Sequence, residues 1–137
     1  MMTDCMEHAA LRDLCSSSLA QRGWRCIAIM SEGPGEVGVL YQRAPRGGDP
    51  KPELLVLQIA ERITEQVVVA RAQMMSDRDM VGVVTIVDEA DAGPLVCDLS
   101  HDALTGQGGA RLLLDHVERL ERRAAERAVA RGAKYDA

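Results

Sequence analysis

The sequence predicts an α+β fold: an antiparallel sheet of four or five strands with three helices, in the order α-β-β-(β)-α-β-β-α. Three observations carry this. Met80–Val87 is apolar on both faces of an extended chain, with Val81, Val83, Thr85 and Val87 on one side and Met80, Val84 and Ile86 on the other. Such a strand is one covered on both sides. Apolar residues recur at helical spacing near both ends of the chain, and short alternating runs separated by Gly/Pro turns lie between them. At 137 residues the chain is expected to be a single domain, 1–137. A chain of this size buries roughly 68% of its unfolded surface without needing staples.

Asp4-Cys5-Met6-Glu7 fits a D-x-x-E capping box, and Leu11, Leu14, Cys15, Ser18 and Leu19 continue one helical face. Gly23 suits a left-handed stop, so the first helix is expected over about residues 5–22. Trp24–Met30 and Val37–Arg43 then read as two strands joined by Ser31-Glu32-Gly33-Pro34-Gly35-Glu36. Ala44–Lys51 is a Pro/Gly loop. Residues 53–79 allow two assignments. Val56, Ala60, Ile63, Val67, Ala70 and Met74 keep helical spacing throughout, but Leu54–Ile59 also reads as a third strand followed by a helix over about 60–76. The strand is favoured, because one continuous helix here is long for a small domain. After Met80–Val87 and an acidic turn, Leu95, Cys97 and Leu99 alternate with Val96 and Asp98, predicting a central hairpin. The last helix begins after Gly106-Gln107-Gly108-Gly109 and is expected to end before Gly132, with Leu113, Val117, Leu120, Ala124 and Ala128 along its apolar stripe.

Composition excludes several functions. The net charge is −5, with seven acids against Arg78 alone in residues 77–102, and seven bases against four acids in residues 103–134. Phosphate binding needs a concentrated basic face, and the chain has no Phe, two Tyr and one Trp to stack on bases. Nucleic acid is therefore not an expected partner. Neither is a membrane, since Met80–Val87, the longest nearly unbroken apolar stretch, is far too short to span one. Cys5, Cys15, Cys26 and Cys97 form no CxxC pair, and the N-terminus shows no signal-peptide pattern. A cytoplasmic protein with reduced thiols is expected.

Motifs that look like chemistry have simpler readings. Gly33-Pro34-Gly35-Glu36-Val37-Gly38 matches G-x-G-x-x-G, but it precedes a strand rather than a helix and carries a glutamate that would repel phosphate. Val84-Thr85-Ile86-Val87-Asp88-Glu89-Ala90-Asp91 looks like the acidic strand end of helicase-type ATPases, yet no Gly-Lys phosphate loop precedes it. Ser100-His101-Asp102 holds triad residue types side by side, where they cannot relay a proton. Ser100 or Asp102 better suits a helix cap. Cys97 with His101, and Cys5 with His8, are the only close Cys/His pairs, too few for a closed zinc site. No cofactor or metal is expected. The alternative is a small thiol- or metal-dependent enzyme using Cys97, His101 and the Asp88/Glu89/Asp91 cluster.

In element order, small size and acidic charge the chain resembles the type III secretion chaperones of the Tir-chaperone class, most closely through Val81–Val87, Leu95–Leu99 and Leu112–Glu121. Leu19-Ala20-Gln21-Arg22-Gly23 stands where that family usually carries Leu-Gly-Leu, and Arg71–Met75 lacks its Asn-containing turn. The resemblance implies a homodimer that holds an unfolded segment of a partner protein without catalysis. If residues 53–79 were one helix, the order would instead be similar to the Roadblock (dynein light chain) class, dimeric scaffolds for small GTPases. A non-enzymatic homodimeric binding module is the function expected. Ile63, Val67 and Ala70 on the middle helix, or Leu113, Val117 and Leu120 on the last, are the residues expected to mediate self-association.

Overall fold

The computed structural model describes residues 2–33, 36–44, 51–77, 80–87 and 98–136. Its elements are α1 (Met2–Ala20), β1 (Arg25–Gly33), β2 (Glu36–Arg43), β3 (Glu53–Ala60), α2 (Glu65–Met75), β4 (Met80–Val87), β5 (Leu99–Ser100), α3 (His101–Thr105) and α4 (Gly109–Asp136). The strands form one sheet in the order β1-β2-β3-β4-β5. The β1/β2 and β2/β3 pairs are antiparallel, while β3/β4 and β4/β5 are parallel, so β2 alone runs against the other four.

The fold is α+β as expected, but the sheet is mixed rather than antiparallel and there are four helices rather than three. The cause lies in the connection after β3. Residues 53–60 are a strand, which removes the premise of the Roadblock-like order, and Thr64 caps the helix that follows by accepting from the Val67 amide. A helix between two neighbouring strands carries the chain back to the starting end, so β4 enters parallel to β3. The expected central hairpin is replaced by a parallel β4/β5 pair of only two residue positions. Leu95–Cys97 lie outside the described residues.

Three layers result. Leu11, Cys15 and Leu19 of α1, Leu104 of α3, and Leu113 and Val117 of α4 pack on one face of the sheet, against Val39, Tyr41, Leu57, Val84 and Ile86. The other face carries a much smaller cluster of Val56, Met80 and Val83, with Met74 of α2 packed against it. β4 departs from strict alternation at its start. A register shift between Leu54 and Leu55 leaves Val81 without a partner in β3 and turns it to the α1/α4 side, while Met80 goes to the α2 side. Gly82 then lies under α4, where an added Cβ would come within 2.8 Å of Leu120 Cδ1.

Helix ends follow local chemistry. Gly23 has φ +86°, and the Trp24 amide bonds Leu19 O at 3.1 Å while the Gly23 amide bonds Ala20 O at 3.0 Å. That is the left-handed stop the glycine predicted. Ser100 caps α3 by accepting from the Ala103 amide. α1 extends back to Met2, and α4 continues through Gly132 to Asp136, since one helical glycine costs only about 1 kcal/mol relative to alanine.

Across the inner layer runs a buried ion network. Glu121 of α4 receives Arg22 Nε at 2.8 Å and Arg43 Nη1 at 2.7 Å, and Arg43 also donates to Glu53 at 2.9 Å. The Arg43 guanidinium lies 4.4 Å over the Trp24 ring. Burial alone would push the Glu121 carboxyl up, but the Arg22 and Arg43 hydrogen bonds and charges outweigh it and bring the pKa down to about 2 from an ordinary 4.5.

The sign of the pH effect follows. The folded-state pKa is depressed, so this contribution is complete above pH 4.5 and is lost as pH falls through about 2. It amounts to about 3 kcal/mol. Glu121→Gln is expected to lower unfolding free energy by roughly 3–5 kcal/mol at pH 7, because Arg22 then loses its carboxylate partner and Arg43 keeps only Glu53. It should also flatten the acid limb of urea-melt stability against pH, and wild-type stability and slope in the variant would refute the role given to this carboxylate.

Candidate interaction surface

β1 is the long open edge of the sheet; the opposite edge, β5, has two residues. Every described side chain of β1, Arg25 to Met30, is exposed. Among them Ile27, Ile29 and Met30 keep 48%, 47% and 49% of their surface in water. Cross-strand pairing explains why. Cys26 sits opposite Tyr41 and Ile29 opposite Val39, placing both on the α1/α4 side, while Ala28 sits opposite Leu40 on the α2 side. Yet Tyr41 and Val39 are fully buried and their β1 partners are not, because the helical layer fades before it reaches the edge. On the other face α2 packs chiefly on β3 and β4. Register shifts after Cys26 and after Ile29 insert Ile27 and Met30 as extra residues. Bulges and charges normally blunt an edge, but these two bulge positions carry large apolar side chains.

A polar cluster marks the β4/β5 side. Arg71 of α2 donates to Thr85 Oγ1 and to Asp98 Oδ2, each at 2.6 Å. Asp98 also accepts from the Thr85 amide at 2.8 Å, and the Thr85 hydroxyl donates to Gln58 at 2.8 Å. These bonds satisfy the polar groups that β3 and β4 carry into the outer layer. His116 of α4 approaches the same carboxylate, with Nε2 3.7 Å from Asp98 Oδ1, and that buried nitrogen has no hydrogen-bond partner among the described residues. Burial lowers the His116 pKa; Asp98 opposes the shift, and Arg119, Arg123 and Arg71 add to it.

The residues expected to mediate self-association lie elsewhere. Val67, Leu113 and Val117 are buried within the chain, and Ile63, Ala70 and Leu120 are half-buried. Leu113 and Val117 join the α1/α4-side core, with Leu120 packed against it. None of the three buried side chains offers a surface to a second chain; periodicity marked them as a packing face, and their own sheet fills it. Cys97 and the Asp88/Glu89/Asp91 cluster lie outside the described residues, as do Cys5 and His8 at the level of their side chains. His101 opens α3. Cys15 is buried, and burial pushes its thiol up to about 12, which makes it a poor nucleophile. Among the described residues no three His, Cys, Asp or Glu side chains gather as a metal site. A depression of about 100 Å3 between β2, β3 and α2, lined in part by Glu36, Gln58 and Gln66, is below the ordinary size of a small-molecule site. Among the described residues no helix is long and apolar enough to cross a membrane.

The β1 surface was hidden in sequence because Trp24–Met30 reads only as one strand of a hairpin, and strand order alone shows it to be an edge. Glu121, Arg43, Arg71 and Asp98 gave no local signal, since their partners stand far away in the chain.

For His116 the lowered folded-state pKa means a contribution that is complete above the ordinary value of 6.5 and is lost as pH falls through the folded value. The stability difference between wild type and His116→Gln in urea melts is therefore expected to shift in the variant's favour from pH 7.5 to pH 5. A difference constant across that range would show that His116 is not buried in its neutral form. Comparison with known protein families, with curated proteins and with solved structures finds no match to this chain.

Proposed function

We propose that the protein is a non-enzymatic, homodimeric binding module that holds an extended segment of a partner protein, the kind of work done by the secretion chaperones its element order resembles. The supporting observation is β1: a nine-residue edge strand that pairs, among the described residues, on one side only, with Ile27, Ile29 and Met30 open to water. An extended chain added to such an edge gains main-chain hydrogen bonds, and apolar side chains flanking them supply affinity. The partner is a protein because the surface is apolar and the chain's net charge is negative, the opposite of what a phosphate backbone requires.

Reduced, carboxymethylated lactalbumin, a permanently unfolded chain, provides the probe. Fluorescence anisotropy is expected to show it binding to wild type, with about tenfold weaker binding for Ile27→Lys and for Ile29→Lys, each of which removes one apolar contact and adds a charge. Val129→Lys, at a position 72% exposed on α4, is expected to bind like wild type. No binding to wild type, or equal loss in all three variants, would refute the proposal.

A further inference from the structure

We infer that, in the absence of a client, β1 is covered by β1 of a second copy, the two strands pairing antiparallel so that two five-stranded sheets become one of ten. This rests on the binding-module function above and adds to it where the copies meet and what the client must displace.

Three features favour a second copy as the occupant. β1 is the only described edge long enough for a ladder, since β5 contributes two residues and α3 follows it directly. β1 is already antiparallel to β2, so an antiparallel addition continues the meander on that side without a change of direction. Finally, the inserted residues Ile27 and Met30 lie one on each side of Ala28-Ile29. A two-fold axis near that midpoint sets apolar residues against apolar residues across the seam, as a self-complementary interface requires.

The size of the seam sets its strength. A ladder of nine residues falls at the low end of specific interfaces, where association is weak and reversible. Such a dimer protects the edge from uncontrolled aggregation and still yields to an extended client that pairs with the same backbone groups. The resting dimer and the client-bound chain are alternative occupants of one strand.

Sedimentation equilibrium of the full chain, from low-micromolar to several-hundred-micromolar concentration, is expected to show a reversible monomer–dimer equilibrium. Ile29→Lys is expected to weaken it at least tenfold, and Val129→Lys to leave it unchanged. Hydrogen exchange on wild type supplies a readout free of mutation: amides in 25–33 should gain protection as concentration rises. Adding carboxymethylated lactalbumin should convert dimer to a complex containing one copy. A wild type monomeric at every concentration overturns the inference, as does a dimer indifferent to Ile29→Lys and without added protection in β1. In either case an Ile29-dependent capture of the unfolded probe leaves the binding function standing. A β1-protected dimer that ignores the probe sustains the inference and removes the client-holding function instead.

Discussion

The unequal cover on the two faces of one sheet governs this molecule. β3 and β4 are parallel, central and apolar on both sides, and strands of that kind must be roofed above and below. On one side α1, α3 and α4 meet the need with a broad core that reaches Val39 and Tyr41 of β2. On the other, α2 spans β3 and β4, because it is the connection between them and has only eleven residues. Among the described residues no further helix covers β1, and that strand is open on its edge and exposed from Arg25 to Met30.

Two polar ties hold the layers in place, and they sit where hydrophobic packing cannot specify a register. Near the start of β1, Glu121 gathers Arg22 and Arg43 and so joins the end of α1, the end of β2 and the middle of α4. At the far side Asp98 receives Arg71 and the Thr85 amide, joining α2, β4 and the entry to β5. Each carboxylate is ringed by charge-assisted hydrogen bonds, which is the condition under which burying it becomes tolerable. Between these ties β1 is held already extended, and a preordered strand loses little conformational freedom when a second strand joins it.

The alternative of thiol or metal chemistry at Cys97, His101 and the acidic cluster falls largely on residues outside those described; among the described residues titratable groups serve as layer ties, and Ile27, Ile29 and Met30 stand exposed on an edge strand. A surface of that kind recognises shape and backbone rather than a reacting bond. The proposed function is compatible with the composition, which has few aromatic residues, a net negative charge and a core of Leu, Val and Ile.

Much of this was legible in the residues. Alternation and helical spacing located β2, β4, α1 and the start of α4, and the doubly apolar run Met80–Val87 announced a strand covered on both sides, because those properties are local and periodic. Gly23 and Ser100 announced their helix ends for the same reason: the stop and the cap act within a few residues. Strand direction is different. Whether β4 lies parallel or antiparallel to β3 depends on where α2 deposits the chain, and whether β1 is an edge depends on what fails to pair with it. Leu113 and Val117 show the limit most clearly, since their apolar spacing is the same whether they meet a twin or their own sheet. Short-range periodicity resides in the sequence; which faces are filled from within and which are left for a partner is decided only when distant segments meet.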